Sequence, residues 1–214
     1  MRVVGAVLVG GVSRRMGQDK AMLLLDGRPM AARVADALRA AGADPVVLVG
    51  GDRAWAGELG LDRVADRWPR EGPLAGLASA LNPTSDEMAY LTHPVGGSGT
   101  PEPGAEVIVL VSACDQPDLD VATLSALVDK LVAAPAEVLA AAVTTADGRR
   151  HPFPSAWRLA AGPILVELVD EGARRAEAGL DTVPVIDVVV DLASLDDLDT
   201  PDDVRRWTAA RPSL

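Results

Sequence analysis

The apolar and polar positions of this chain alternate between two rhythms. Val3–Val9 is a continuous apolar run that predicts a buried strand. Met22–Leu25 and Arg28–Met30 flank Asp26-Gly27, a turn signal that folds two short pieces back on each other. Ala31–Ala41 has helical spacing and stops at Gly42, and Pro45–Val49 is a second apolar strand. A short strand over Arg63–Ala65 ends at Asp66, and Pro73–Leu81 starts on proline and continues with helix formers. Further on, the pattern predicts strands over Val107–Ser112, Val138–Val143 and Val183–Val190 and an extended segment over His151–Trp157. It predicts helices over Val121–Ala133, Gly162–Ala178 and Pro201–Ala210, the last capped by Thr200. Strands alternating with helices imply a layered α/β fold.

Asn82–Ala105 breaks this rhythm. Four prolines and four glycines predict a long, flexible surface loop inside what otherwise reads as one domain over 1–214. At 214 residues and 49% hydrophobic content the chain can bury a full core. Aromatics make up 3%, so that core is expected to be mostly Ala, Val and Leu. A net charge of −11 argues against a nucleic-acid binder or a protein of anionic membranes. One nucleotide needs only a local cluster of cations, so a nucleotide ligand stays open. Cys114 is the sole cysteine, which fits a reducing cytoplasm. The first apolar run is too short to span a bilayer, and no charged leader or cleavage site accompanies it.

The first strand opens into Gly10-Gly11-Val12-Ser13-Arg14-Arg15-Met16-Gly17-Gln18-Asp19-Lys20. Glycines let backbone N–H groups approach an anion, and the cations neutralise it. The spacing fits neither the Walker loop nor the dinucleotide fingerprint. Asp115, in Cys114-Asp115-Gln116-Pro117, follows a wholly apolar strand and offers the hard oxygen that Mg2+ takes beside a triphosphate, although a turn or cap explains such a residue too. Glu71-Gly72-Pro73-Leu74-Ala75-Gly76-Leu77 reads either as a loop feeding a helix or as a helix start laid against a flat ligand. Asp196, Asp197 and Asp199 precede the closing helix; the helix dipole accounts for them, and Asp197 or Asp199 is also a candidate second metal ligand. His93, His151 and Cys114 have no metal-ligand spacing, and no serine has the neighbours of a nucleophile.

In order along the chain, the loop through Lys20, Gly72-Pro73-Leu74-Ala75-Gly76, Cys114-Asp115-Gln116-Pro117 and Asp199-Thr200-Pro201-Asp202-Asp203 resemble the motifs of molybdenum cofactor guanylyltransferases. The resemblance implies a Rossmann-like three-layer sandwich with a mostly parallel, mixed central sheet. It implies transfer of GMP from GTP to the phosphate of molybdopterin, with Mg2+ and with release of pyrophosphate. By that likeness Leu8, Val9, Gly10, Gly11 and Ser13 line the nucleotide, and Arg15 and Lys20 hold its phosphates. Asp52, Asp66, Gly72, Pro73 and Leu74 contact the nucleotide, and Asp115 binds the metal. His151-Pro152-Phe153 loosely resembles the pterin-facing segment. Two departures stand out: Val9 replaces the usual Ala, and Asp197 and Asp199 replace Asn. The resemblance also implies a cytoplasmic enzyme in transient contact with cofactor-delivery or acceptor apoenzymes. Gly10 and Asp19 favour GTP over CTP. A sister cytidylyltransferase, another nucleotidyltransferase with a different phosphorylated acceptor, and a non-catalytic nucleotide or pterin binder remain as alternatives.

Overall fold

Alternation along the strands divides the apolar residues between two faces of one sheet. The computed structural model describes residues 1–9, 19–84, 106–190 and 197–210. Its first strand, β1 (Arg2–Leu8), lies between β4 (Val46–Val49) and β6 (Val107–Ala113), parallel to both. β5 (Asp62–Val64) adds parallel to β4. On the other side β8 (Arg150–Arg158) pairs antiparallel with β6 and with β7 (Ala140–Thr144), and β9 (Val185–Val189) adds parallel to β7. The seven-stranded order is β5-β4-β1-β6-β8-β7-β9, with β8 alone reversed. This is the mostly parallel, mixed sheet of an α/β three-layer sandwich. A separate hairpin joins β2 (Leu24–Leu25) to β3 (Arg28–Pro29), and its turn residues Asp26 and Gly27 both have positive φ, 49° and 74°.

On one face Val4, Ala6 and Leu8 of β1 and Val107, Val109 and Val111 of β6 pack against three helices. These are α3 (Pro73–Leu81), α5 (Gly162–Asp170) and α6 (Glu177–Thr182). On the other face Val7 and Val9, with Ile108 and Leu110, meet α1 (Met30–Ala40), α2 (Arg53–Leu59) and α4 (Val121–Ala133). The core is mostly aliphatic as expected; among the described residues its buried aromatics are Trp157 and Trp207. Gly5 lets β4 approach β1, since a Cβ there would stand 2.8 Å from Cγ2 of Val46. Among the described residues no helix is long and apolar enough to cross a membrane.

Two expectations need correction. The single helix expected over Gly162–Ala178 is two helices, because Gly172 turns the chain at φ +97° after Asp170. Helix α2 lies where none was expected; Asp52 caps it by accepting from the Ala54 amide at 2.9 Å, and Gly60 ends it in the left-handed region. The loop expected over 82–105 falls largely on residues 85–105, outside the described residues.

Closing the chain, α7 (Pro201–Ala209) does not join either face of the sheet. It packs Trp207 and Val204 on Leu23, Leu25 and Met30, with Leu198 in the same cluster. That cluster fixes the segment before α7 beside the 3-10 turn Lys20–Met22.

Candidate active site

Ligands of open α/β sheets bind beyond the carboxyl ends of the parallel strands. Here β1 and β6 end side by side, and the Cys114 amide donates to the Leu8 carbonyl at 3.1 Å. The β6 end therefore presents Asp115 next to the chain leaving β1. Lys20 reaches this point from its 3-10 turn, with Nζ 3.1 Å from Oδ2 of Asp115 and 2.5 Å from Oδ1 of Asp199. The Lys20 side chain is 14% exposed, Asp115 23% and Asp199 60%, so the cluster opens to solvent on the Asp199 side.

Burial pulls the Lys20 pKa down, but hydrogen bonds from its ammonium to Asp199 and Asp115, and their charges, hold it above the usual value. Asp197 is exposed over part of its surface. Desolvation nevertheless pushes its carboxyl up to about 6, reinforced by the charges of Asp115 and Asp199 and opposed by a hydrogen bond from Gln116 and by Lys20. Among the described residues, three carboxylates thus surround the Lys20 ammonium. Gln116, which sequence reasoning passed over, ties the site to the sheet. It accepts from Ser112 Oγ at 2.9 Å and donates to the Phe153 carbonyl at 3.2 Å. Its place next to Asp115, directly after an apolar strand, was the signal in the sequence.

The family of the MobA-like NTP transferase domain matches residues 5–183. The chain belongs to this family. Its relatives place it with the molybdenum cofactor guanylyltransferases. A relative from Rhodobacter capsulatus named molybdenum cofactor guanylyltransferase is 34% identical over 212 residues, 96% of this chain and 95% of that one. Two further relatives with names of that kind match more closely but locally, and the alignments span 39% and 45% of their length. In fold, the chain resembles the molybdopterin-guanine dinucleotide biosynthesis protein A of Archaeoglobus fulgidus. That likeness has a TM-score of 0.70, 23% identity and 98% coverage of both chains. It also resembles a Mycobacterium tuberculosis protein solved as a complex with manganese, with TM-score 0.62, 22% identity, and coverage of 99% and 100%.

Of the residues expected in this nucleotidyltransferase's site, Lys20, Asp115, Asp197 and Asp199 come together. Gly10, Gly11, Ser13 and Arg15 lie outside the described residues. Leu8 and Val9 bury their side chains in opposite layers. Gly51 makes room for the extra bulk of Val9, since a Cβ there would come 2.7 Å from Val9 Cγ2. Asp52 faces solvent as the α2 cap. Asp66 accepts from the Trp68 amide at 3.0 Å and from Ser79 Oγ at 3.4 Å, a turn role beside whatever it does for a ligand. Gly72, at φ +94°, and Leu74 lean on the 174 loop: the Leu74 amide donates to the Arg174 carbonyl at 3.2 Å, and its side chain is fully buried. Pro73 is exposed at the helix start.

Among the described residues, no three His, Cys, Asp or Glu side chains are placed to hold a metal ion together. A Mg2+ site of the expected kind needs one or two carboxylates, with substrate phosphates and water completing it. Asp115 fits that requirement: Lys20 engages only Oδ2, which leaves Oδ1 for a hard cation.

Proposed function

We propose that this protein transfers GMP from GTP to the terminal phosphate of molybdopterin, releasing pyrophosphate. The observation that carries the reading is the convergence of Lys20, Asp115 and Asp199 where β1 and β6 end. The names of its relatives supply the substrates.

A phosphate oxygen of the acceptor attacks the α-phosphorus of GTP. The bond from that phosphorus to the oxygen bridging the β-phosphate breaks, and pyrophosphate leaves with the bonding pair. The attacking oxygen is already deprotonated, so no general base is required. This agrees with a site whose described side chains are an ammonium and carboxylates. Lys20 supplies a fixed positive charge toward the phosphates, and its neighbours keep it protonated. Asp115 and Asp199 hold that ammonium in place, and Asp115 would hold Mg2+. When bound, Mg2+ neutralises phosphoryl oxygens and the leaving group. Arg15 and the Gly10–Gly11 backbone would cradle the same phosphates. A single cysteine suits the cytoplasm for such an enzyme.

Calorimetry with Mg2+ and GTP, CTP or ATP, followed by a nucleotide-by-acceptor screen read by pyrophosphate release, tests this assignment. GTP is expected to bind in preference, with turnover only in the presence of molybdopterin. Equal binding of the three nucleotides overturns the guanylyl assignment, and preference for CTP makes the protein a cytidylyltransferase.

A further inference from the structure

We propose that Asp203, on the first turn of α7, is a positioning residue of the reaction centre that holds Asp199 against Lys20 through the backbone. The inference rests on the reading of Lys20 and Asp199 as partners in the site.

Asp203 and Thr200 form a capping box, in which the Asp203 amide donates to Thr200 Oγ1 at 3.2 Å and the Thr200 amide donates to Asp203 Oδ2 at 2.7 Å. Capping the helix requires no more than this. Oδ2 of Asp203 takes two further donors: the Thr200 hydroxyl at 2.7 Å and the Asp199 amide at 3.1 Å. The Asp199 amide lies outside the helix, so its bond constrains the segment that enters the site. Arg206 engages the other carboxylate oxygen, leaving Oδ2 committed to these donors. All of these bonds favour the ionised carboxylate, and the Asp203 pKa is lowered.

The preceding residue is pinned from the opposite side. The Leu198 amide donates to the Asp115 carbonyl at 2.9 Å, and the Leu198 side chain is buried with Leu25, Met30 and Trp207. Two successive amides are therefore held, one by Asp115 and one by Asp203. The backbone that enters Asp199 is thereby fixed, and its carboxylate accepts from Lys20 Nζ at 2.5 Å. A second tie draws α7 to the same turn: Trp207 Nε1 donates to Asp118 Oδ2 at 2.5 Å, with the Arg33 guanidinium 4.9 Å over the indole. The C-terminal helix is thus a wall of the site, linked to both ends of the Asp115–Asp118 turn.

The chain has two lysines, Lys20 and the exposed Lys130, so amine chemistry reports on this geometry directly. The probe is trace acetic anhydride at pH 8, with the Lys20:Lys130 labelling ratio read by peptide mass spectrometry on the full chain without added metal. Releasing Asp199 removes one of the two carboxylates hydrogen-bonded to Lys20 Nζ and uncovers the amine to the reagent. Asp203→Ala is expected to raise the ratio about threefold or more, and Asp199→Asn at least as much. Asp203→Asn, which keeps a capping oxygen, is expected to restore most of the wild-type ratio. Asp202→Ala, one residue away and paired with Arg205, is expected to leave it unchanged. Where the alanine variant does not fold, Asp203→Ser takes its place, its hydroxyl too short to span both amides. A wild-type ratio in Asp203→Ala or Asp203→Ser, with a raised ratio in Asp199→Asn, overturns the positioning role and leaves the Lys20–Asp199 pair standing. An unchanged ratio in Asp199→Asn removes the pair itself, and the proposal with it.

Discussion

The Lys20 ammonium lies 3.1 Å from Oδ2 of Asp115, joining positions 95 residues apart in sequence. Both side chains are mostly buried, so solvent screens the pair less than it would a surface bridge. Asp115→Asn keeps the shape and removes the charge. Pyrophosphate release is expected to fall by about 10²–10³, the scale of a lost electrostatic contact to a transition state. Circular dichroism is expected to match the wild type, because the packing around Cys114 and Leu8 depends on backbone bonds. Full turnover in this variant would rule out the metal and phosphate role of Asp115.

Gly162 separates stability from catalysis. It begins α5 where α3 ends, and a Cβ there would meet the Leu81 carbonyl oxygen at 2.3 Å. Backbone cannot yield as a flexible side chain can, so Gly162→Ala is expected to cost about 1–3 kcal/mol. For a chain of this size the melting temperature falls by about 2–4 °C per kcal/mol. KM for GTP is expected to stay at the wild-type value, since Gly162 touches none of Lys20, Asp115 and Asp199. A thermal melt and a KM measurement on the same preparation check both halves.

The central frame was legible in the sequence because its signals are local. The apolar runs Val3–Val9 and Val107–Ser112 could only be buried strands, and Asp26-Gly27 announced its hairpin. Helix α2 was missed because glycines at 50, 51, 57 and 60 masked seven residues of helix, although Asp52 and Gly60 are ordinary start and stop signals. The break at Gly172 was read through because apolar spacing continues across it. In the site, Lys20 and Asp115 stood out by motif. The engagement of Asp199 by Lys20 did not, because it depends on where α7 docks, and that is set by Trp207 and Leu198 filling the hairpin cluster.

Trp157 is fully buried, and its indole N–H donates to Ser155 Oγ at 2.8 Å; that hydroxyl donates in turn to the Pro152 carbonyl at 2.7 Å. Ser155→Ala leaves the indole N–H without its acceptor in the core. The expected loss is about 1–3 kcal/mol, the cost of an unsatisfied buried donor. The double change with Trp157→Phe is expected to cost less than the sum of the single changes, because the donor disappears with its acceptor. Urea unfolding of the four proteins closes this cycle, and strict additivity would mean that the indole finds another acceptor.

His151, the second residue of β8, has Nε2 buried and without a hydrogen-bond partner among the described residues. Burial pushes its pKa below the ordinary 6.5, Arg149 adds to the shift, and Asp147 opposes it. The folded state therefore binds this proton less readily than the unfolded chain does. The contribution of the neutral imidazole to stability is fully present above about pH 6.5 and is lost as pH falls below it toward the folded value. His151→Gln removes the titration while keeping a polar side chain at the strand start. Urea midpoints measured between pH 7.5 and 5.5 are expected to fall more steeply for the wild type than for the variant. Comparing the two proteins cancels the titration of His93 and the carboxylates, which both share. Parallel declines would show that the imidazole takes up its proton in the folded protein as readily as in the unfolded chain.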